Sequence, residues 1–115
     1  MKIQYQAALP PNWQPVAAIF SALGEETRQR ILLLFEEGEE LSIKDIAARF
    51  SLGRTTVVHH LAVLERASIL NVRRAGKLAL YSVQPGIILD AFEKLRLYIE
   101  EEYPTAYHQH GNDQP

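Results

Sequence analysis

ELSIKDIAARFSLGRTTVVHHLAVLERASILNVRRAGKLALYSV, residues 40–83, places two short amphipathic runs, a glycine-bearing break and a hairpin pattern in immediate succession. The first run predicts a helix over roughly 42–50. Ser42 is its N-cap, Asp45 three positions on nearly completes a capping box, and Ile43, Ile46, Ala47 and Phe50 form its apolar stripe. Ser51-Leu52-Gly53 is the turn, where glycine lets the backbone swing round. The second run, from Arg54, puts Val57, Leu61 and Leu64 on one face and Arg54, Thr55, Val58, His59 and Ala62 on the other. Leu70, Val72, Leu78, Leu80 and Val83 then supply strand residues on either side of Ala75-Gly76-Lys77. A helix-turn-helix followed at once by a hairpin is the layout of a winged helix, a shape that fits a DNA groove.

Charge segregates onto the same stretch. The whole chain carries 12 basic and 14 acidic residues for a net charge of −2. Between Ser42 and Val83, however, Lys44, Arg49, Arg54, Arg66, Arg73, Arg74 and Lys77 face only Asp45 and Glu65, a balance of +5 that leaves −7 elsewhere. Phosphate binding needs a local positive face rather than a high overall pI. Arg54 at the start of the second helix can fork onto a guanine edge, Thr55 and Thr56 can donate to a base or phosphate, and Val58 can meet a thymine methyl. His59 is read as a DNA contact and His60 as a packed side chain. Neighbouring histidines diverge by about 100° around a helix and do not share a metal ion well. Arg73, Arg74 and Lys77 cluster at the hairpin tip, where a wing reaches the minor groove or flanking phosphates.

The rest of the chain frames this unit. Its 115 residues suffice for one domain with a modest core, a size that often gains stability by dimerising. There is no cysteine, which excludes disulfides, thiolate metal sites and thiol redox sensing. Without a membrane-length apolar run or a signal-peptide pattern, the expectation is a soluble cytoplasmic protein. Residues 1–12 are expected to form an extended arm, 13–102 the DNA-binding and dimerisation domain, and 103–115 a flexible tail. A first helix follows Pro15 and stops at Gly24. A second starts near Glu25 or Glu26 and stops near Gly38; Ile31-Leu32-Leu33-Leu34-Phe35 is apolar nearly all round, so it is expected to be the central buried helix. The last helix, after Pro85-Gly86, is too apolar for a single supporting face. Val16, Ile19 and Phe20 with Ile88, Ala91, Phe92, Leu95 and Ile99 are therefore expected to form a two-fold dimer interface. The fold class expected is mostly α with a small β-hairpin: a winged helix-turn-helix of about five helices and a two-stranded wing.

Three motifs in order resemble the ArsR family of winged-helix repressors: LGEETRQRIL (23–32), TVVHHLAVL (56–64) and VRRAGKLALYSV (72–83). The likeness spans roughly residues 15–100 and implies a homodimeric repressor that binds an inverted-repeat operator in double-stranded DNA and leaves it when an inducer binds. Thiolate sensors of the family carry cysteines at positions matching Ser42 and Lys44 here. Zinc-type sensors use Asp and His at positions near Pro85, Ile87, Tyr98 and Glu101, of which only Glu101 could ligate. The resemblance thus implies a regulator without those metal sites and without a cofactor; the inducer stays open. His108 and His110, in the tail and without helical context, are not read as a metal site. Val58 replaces the family's usual serine, trading a hydrogen bond for an apolar contact. Ser68 stands where the family has glycine, at a cost of about 1 kcal/mol if the site needs positive φ. A winged helix used only for protein contacts is the alternative reading. An enzyme is excluded by the lack of a nucleophile–base pair, a phosphate-cradling glycine loop or a metal cluster.

Overall fold

The computed structural model describes residues 1–105. His108 and His110 lie outside the described residues. Five α-helices and three strands follow in the order α1 (Gln14–Leu23), α2 (Glu26–Leu34), β1 (Leu41–Ser42), α3 (Ile43–Ala47), α4 (Arg54–Arg66), β2 (Leu70–Ala75), β3 (Leu78–Val83) and α5 (Pro85–Glu102). Local chemistry sets most of the boundaries. Pro15 sits in the first turn of α1 and Gly24 caps its end. The Glu25 side chain caps α2 by accepting from the Arg28 backbone N–H at 2.9 Å. In α3 the capping box is complete: Ser42 Oγ accepts from Asp45 N–H at 3.1 Å, and Asp45 accepts from Ser42 N–H at 3.0 Å. These reciprocal bonds hold a helix of only five residues.

The second helix departs from expectation. It ends at Leu34, because Phe35 turns to an extended backbone and the chain reverses at Gly38, where φ is +74°. It is also not the central helix, since Ile31 is its one buried residue and Leu33 is 84% exposed. That place belongs to α4, whose Val57, Leu61 and Leu64 are fully buried together with Ile31, Ile46 and Ile69. Burying each such side chain stabilises the fold by about 1.5–3 kcal/mol.

The hairpin gains a strand that the sequence does not announce. β1 pairs antiparallel with β3, matching Leu41 to Tyr81 and Ser42 to Leu80. The sheet order is therefore β1-β3-β2, with β2 and β3 in register from Leu70 opposite Val83 to Ala75 opposite Leu78. This strand ties the start of the helix-turn-helix to the base of the wing. At the other end, α4 closes in a Schellman motif: Ile69 N–H donates to Leu64 O at 3.0 Å and Ser68 N–H to Glu65 O at 2.9 Å. The left-handed position of that motif is Ser68, at φ +63°.

The first ten residues fold back along α5 rather than standing away from it. Lys2 pairs with Glu102 and lies over the Tyr98 ring. Trp13 meets Tyr98 edge-on at 5.7 Å, and Tyr5 and Leu9 line a cleft with Leu95.

Candidate nucleic-acid interface

Burial of one face of α4 fixes what the other presents. With Val57, Leu61 and Leu64 turned into the core, Arg54, Thr55, Thr56, Val58 and His59 are all exposed, and Ala62 is half-buried. Gly53 supplies no side-chain cap and the first turn contains no acidic residue. The first backbone N–H groups of α4 and the helix dipole thus favour an anion at this end. Arginine, threonine hydroxyls and a partly exposed valine together offer a bidentate donor, polar donors and a methyl-sized apolar contact.

His60 behaves differently from its neighbour. It is half-buried, and Arg28 Nη1 approaches its Nδ1 at 3.3 Å. The same guanidinium donates through Nε to Ala22 O at 2.6 Å. The sequence pattern does not reveal this contact, because 32 residues separate Arg28 from His60.

The wing brings its cations to the tip of a regular hairpin. Arg74 lies opposite Ala79, and Ala75 opposite Leu78 closes the ladder around Gly76, whose φ of +62° suits glycine. Arg74 and Lys77 are exposed. Arg73 is exposed too, yet it is not part of an unopposed trio of cations. Its Nε donates to Glu40 Oε2 at 2.8 Å and its Nη2 to Glu40 Oε1 at 2.9 Å, a two-pronged pair across the sheet. The pairing holds the Glu40 carboxyl below its ordinary range and the guanidinium above its own. Glu40 lies just outside the basic stretch, 33 residues from its partner, so local charge reading misses it.

The residues expected at a dimer interface divide. Val16, Ile19 and Ala91 are buried within a single chain, where they pack α1 and α5 into the core and line a cleft with Asp90 and Lys94. Phe20 and Ile88 are half-buried. Phe92, 52% exposed, meets Phe20 edge-on at 5.7 Å, and Leu95 and Ile99 are also exposed. Leu89, also exposed, lies about 60° round the helix from Phe92, while Leu97 is exposed on the other side of α5. Among the described residues no three His, Cys, Asp or Glu side chains gather as a metal cluster. No described helix is long and apolar enough to cross a membrane.

Comparison with known proteins accords with this geometry. A helix-turn-helix domain family model matches residues 23–73. The chain is 32% identical over 90 residues to the cadmium resistance transcriptional regulatory protein CadC homolog of Staphylococcus aureus, covering 78% of this chain and 74% of that one. It is 28% identical over 83 residues to the transcriptional repressor SdpR of Bacillus subtilis, covering 72% of this chain and 91% of the relative. Among solved structures, an ArsR-like transcriptional regulator from Rhodococcus superposes with a TM-score of 0.73 at 22% identity, over 88% of this chain and 95% of that one. The homodimeric winged helix-turn-helix DNA-binding domain of a possible ArsR-family regulator from Mycobacterium bovis gives 0.63 at 21% identity, over 89% and 92%. With the three motifs, the winged fold and these relatives in agreement, the chain belongs to the ArsR family of transcriptional regulators.

Proposed function

We propose that this chain is a homodimeric, sequence-specific repressor that binds an inverted repeat in double-stranded DNA and responds to an input other than thiolate-bound metal. The observation that carries this reading is the exposed, acid-free first half of α4, set between a buried helix-turn-helix core and a cationic hairpin tip. Arg54, Thr55, Thr56, Val58 and His59 read base edges and nearby phosphates in the major groove, while Arg74 and Lys77 hold the flanking backbone. Arg73 joins them once DNA phosphate displaces Glu40. Residues 13–102 carry both DNA binding and dimerisation, with α5 and the Phe20 side of α1 facing the partner. Repression is supported by the repressor among the relatives and by the steric logic of a protein seated on its operator.

The input follows from side chains already committed elsewhere. Ser42, where thiolate sensors carry a cysteine, spends its hydroxyl on the α3 cap. Pro85 and Ile87 offer no ligand atoms, and Tyr98 is engaged with Trp13 and Lys2. With Lys44 at the second thiolate position and Glu101 the one last-helix counterpart able to ligate, these side chains support a regulator without either family metal site.

Selection from a random duplex pool by the purified protein, read by sequencing, tests the function. Enrichment of an inverted repeat with half-sites about one helical turn, or roughly 34 Å, apart is the expected result. Salt-sensitive retention without an enriched motif would make this a non-specific binder. No retention at low salt would leave the winged helix as a protein-interaction module and overturn the reading.

A further inference from the structure

Three helices meet at the Arg28 guanidinium. Arg28 belongs to α2; its Nε donates to Ala22 O at 2.6 Å and its Nη2 to Ser21 O at 3.4 Å, both carbonyls of the last turn of α1. Carbonyls of a helix's last turn carry the negative end of its dipole, and although Ser21 O also accepts from the Gly24 N–H at 3.2 Å, the arginine reaches from α2 to cap α1. Its remaining arm approaches His60 Nδ1 on α4 at 3.3 Å. Arginine has donors and no acceptor, so this contact is a hydrogen bond only if Nδ1 presents a lone pair. The ring is then neutral, with its proton on Nε2.

His60 is well placed for such a tether to matter. It adjoins the fully buried Leu61, lies one residue beyond the exposed His59, and is four residues beyond Thr56. A fixed point on this side of α4 sets the roll of the helix about its axis, and with it the direction in which Arg54, Thr55 and Val58 point. We propose that Arg28 and the neutral form of His60 are positioning residues that lock the recognition helix to the end of α1, and that protonation of His60 releases the lock and weakens operator binding. A proton on Nδ1 would set donor against donor and one cation beside another. The other ionisable groups facing this ring are few. Glu25, at the cap of α2, lies within electrostatic reach of His60, and its carboxylate keeps its charge while accepting from the Arg28 backbone N–H, so it partly offsets the repulsion between Arg28 and a protonated ring. His59 lies 5.8 Å away, centroid to centroid, on α4 itself. α1 has no ionisable side chain and contributes only carbonyls.

The inference rests on α4 being the helix that reads DNA, and two measurements separate the two ideas. Long-range ¹H–¹⁵N spectra of the histidine rings in the free, full-length protein report the tautomer without DNA. Because the Arg28 arm needs an acceptor there, His60 Nδ1 is expected to be the unprotonated ring nitrogen; a proton on Nδ1 would overturn the lock. The second measurement is binding to the selected operator duplex, followed by fluorescence anisotropy from about pH 7.5 to about pH 5.5. Wild type is expected to weaken about tenfold on acidification, a typical size for coupling between sites. Protonation of His59 beside phosphates would act in the opposite sense, so a fall is diagnostic. His60→Asn places an amide oxygen near the Nδ1 position without a titrating proton. It is expected to recover most of the affinity lost in His60→Ala and to abolish the acid step. An acid step of equal size in His60→Asn, or affinity that rises with acidification in both proteins, would overturn the proposal. Absence of binding at every pH would defeat the DNA-reading function instead, while the ring spectra still decide the tautomer.

Discussion

Ser68 holds φ at +63°, the one described residue other than glycine with positive φ. Its side chain gains nothing that offsets the clash between Cβ and backbone in this region, which costs about 1–2 kcal/mol. Ser68→Gly removes the clash and loses part of the gain to a more flexible unfolded chain. The expected net effect is stabilisation by about 0.5–1 kcal/mol, visible as a higher urea midpoint at unchanged slope; an equal or lower midpoint would show that the site is not strained. This departure from glycine could be read from the sequence because the family resemblance marks the position, whereas its cost depends on the Schellman geometry that only the structure displays. At the same scale, Arg54 and Arg74 should separate by role. Arg54→Ala should cost about 1–3 kcal/mol on the operator and relax preference at one position per half-site. Equal loss on random DNA would refute base reading. Arg74→Ala should weaken all duplexes alike and lower the salt slope by about one unit.

Elements tie these residues to one another, and here legibility divides by distance along the chain. The Ser42–Asp45 capping box, the Val57-Leu61-Leu64 stripe and the Gly76 turn are all local patterns, and each forms as its spacing predicts. β1 is only two residues long and its partner Tyr81 lies on the far side of α4, so no local signal marks it. Ile31-Leu32-Leu33-Leu34 names no face because every position is apolar, and the exposure of Leu33 is set by tertiary packing alone. Glu40 is the long-range partner that matters most for function. Glu40→Gln removes the carboxylate that DNA phosphate must displace from Arg73, so DNA affinity should rise at an unchanged salt slope; an unchanged affinity would mean that Arg73 stays off the DNA. Titration distinguishes the α3 cap. Hydrogen bonds from Ser42 hold the Asp45 carboxyl below its ordinary range. Its folded-state value being depressed, the cap stabilises fully above the unfolded carboxyl range near about pH 4, and that contribution is lost as pH falls through the lower folded value. Asp45→Asn should therefore flatten the acid limb of a melting-temperature profile. An acid limb identical to wild type would exclude Asp45 as a contributor.

At the scale of the whole molecule, the basic stretch 42–83 and the acidic remainder place the DNA-facing charge in one half of the sequence and the apolar surface of α5 in another. That surface includes Leu89, Phe92, Leu95 and Ile99, all exposed in the single chain, while Val16, Ile19 and Ala91 beneath them belong to its own core. The division makes the pairing testable without unfolding the protomer. Phe92→Glu introduces a charge at a position 52% exposed, so circular dichroism should keep its helical signature. Buried in a two-fold interface, the same charge would meet its own copy across the axis and lack a partner, a penalty of several kcal/mol. Sedimentation should then report a monomer. The consequence for DNA follows from effective concentration: in a dimer, binding of one recognition helix presents the second to its half-site at high local concentration, worth about 10²–10⁴ in affinity. The variant should bind a full inverted repeat no more tightly than wild-type protein binds a single half-site. A Phe92→Glu protein that stays dimeric, or one that is monomeric yet binds the full repeat as tightly as wild type, would remove α5 from the pairing surface and uncouple dimerisation from operator recognition.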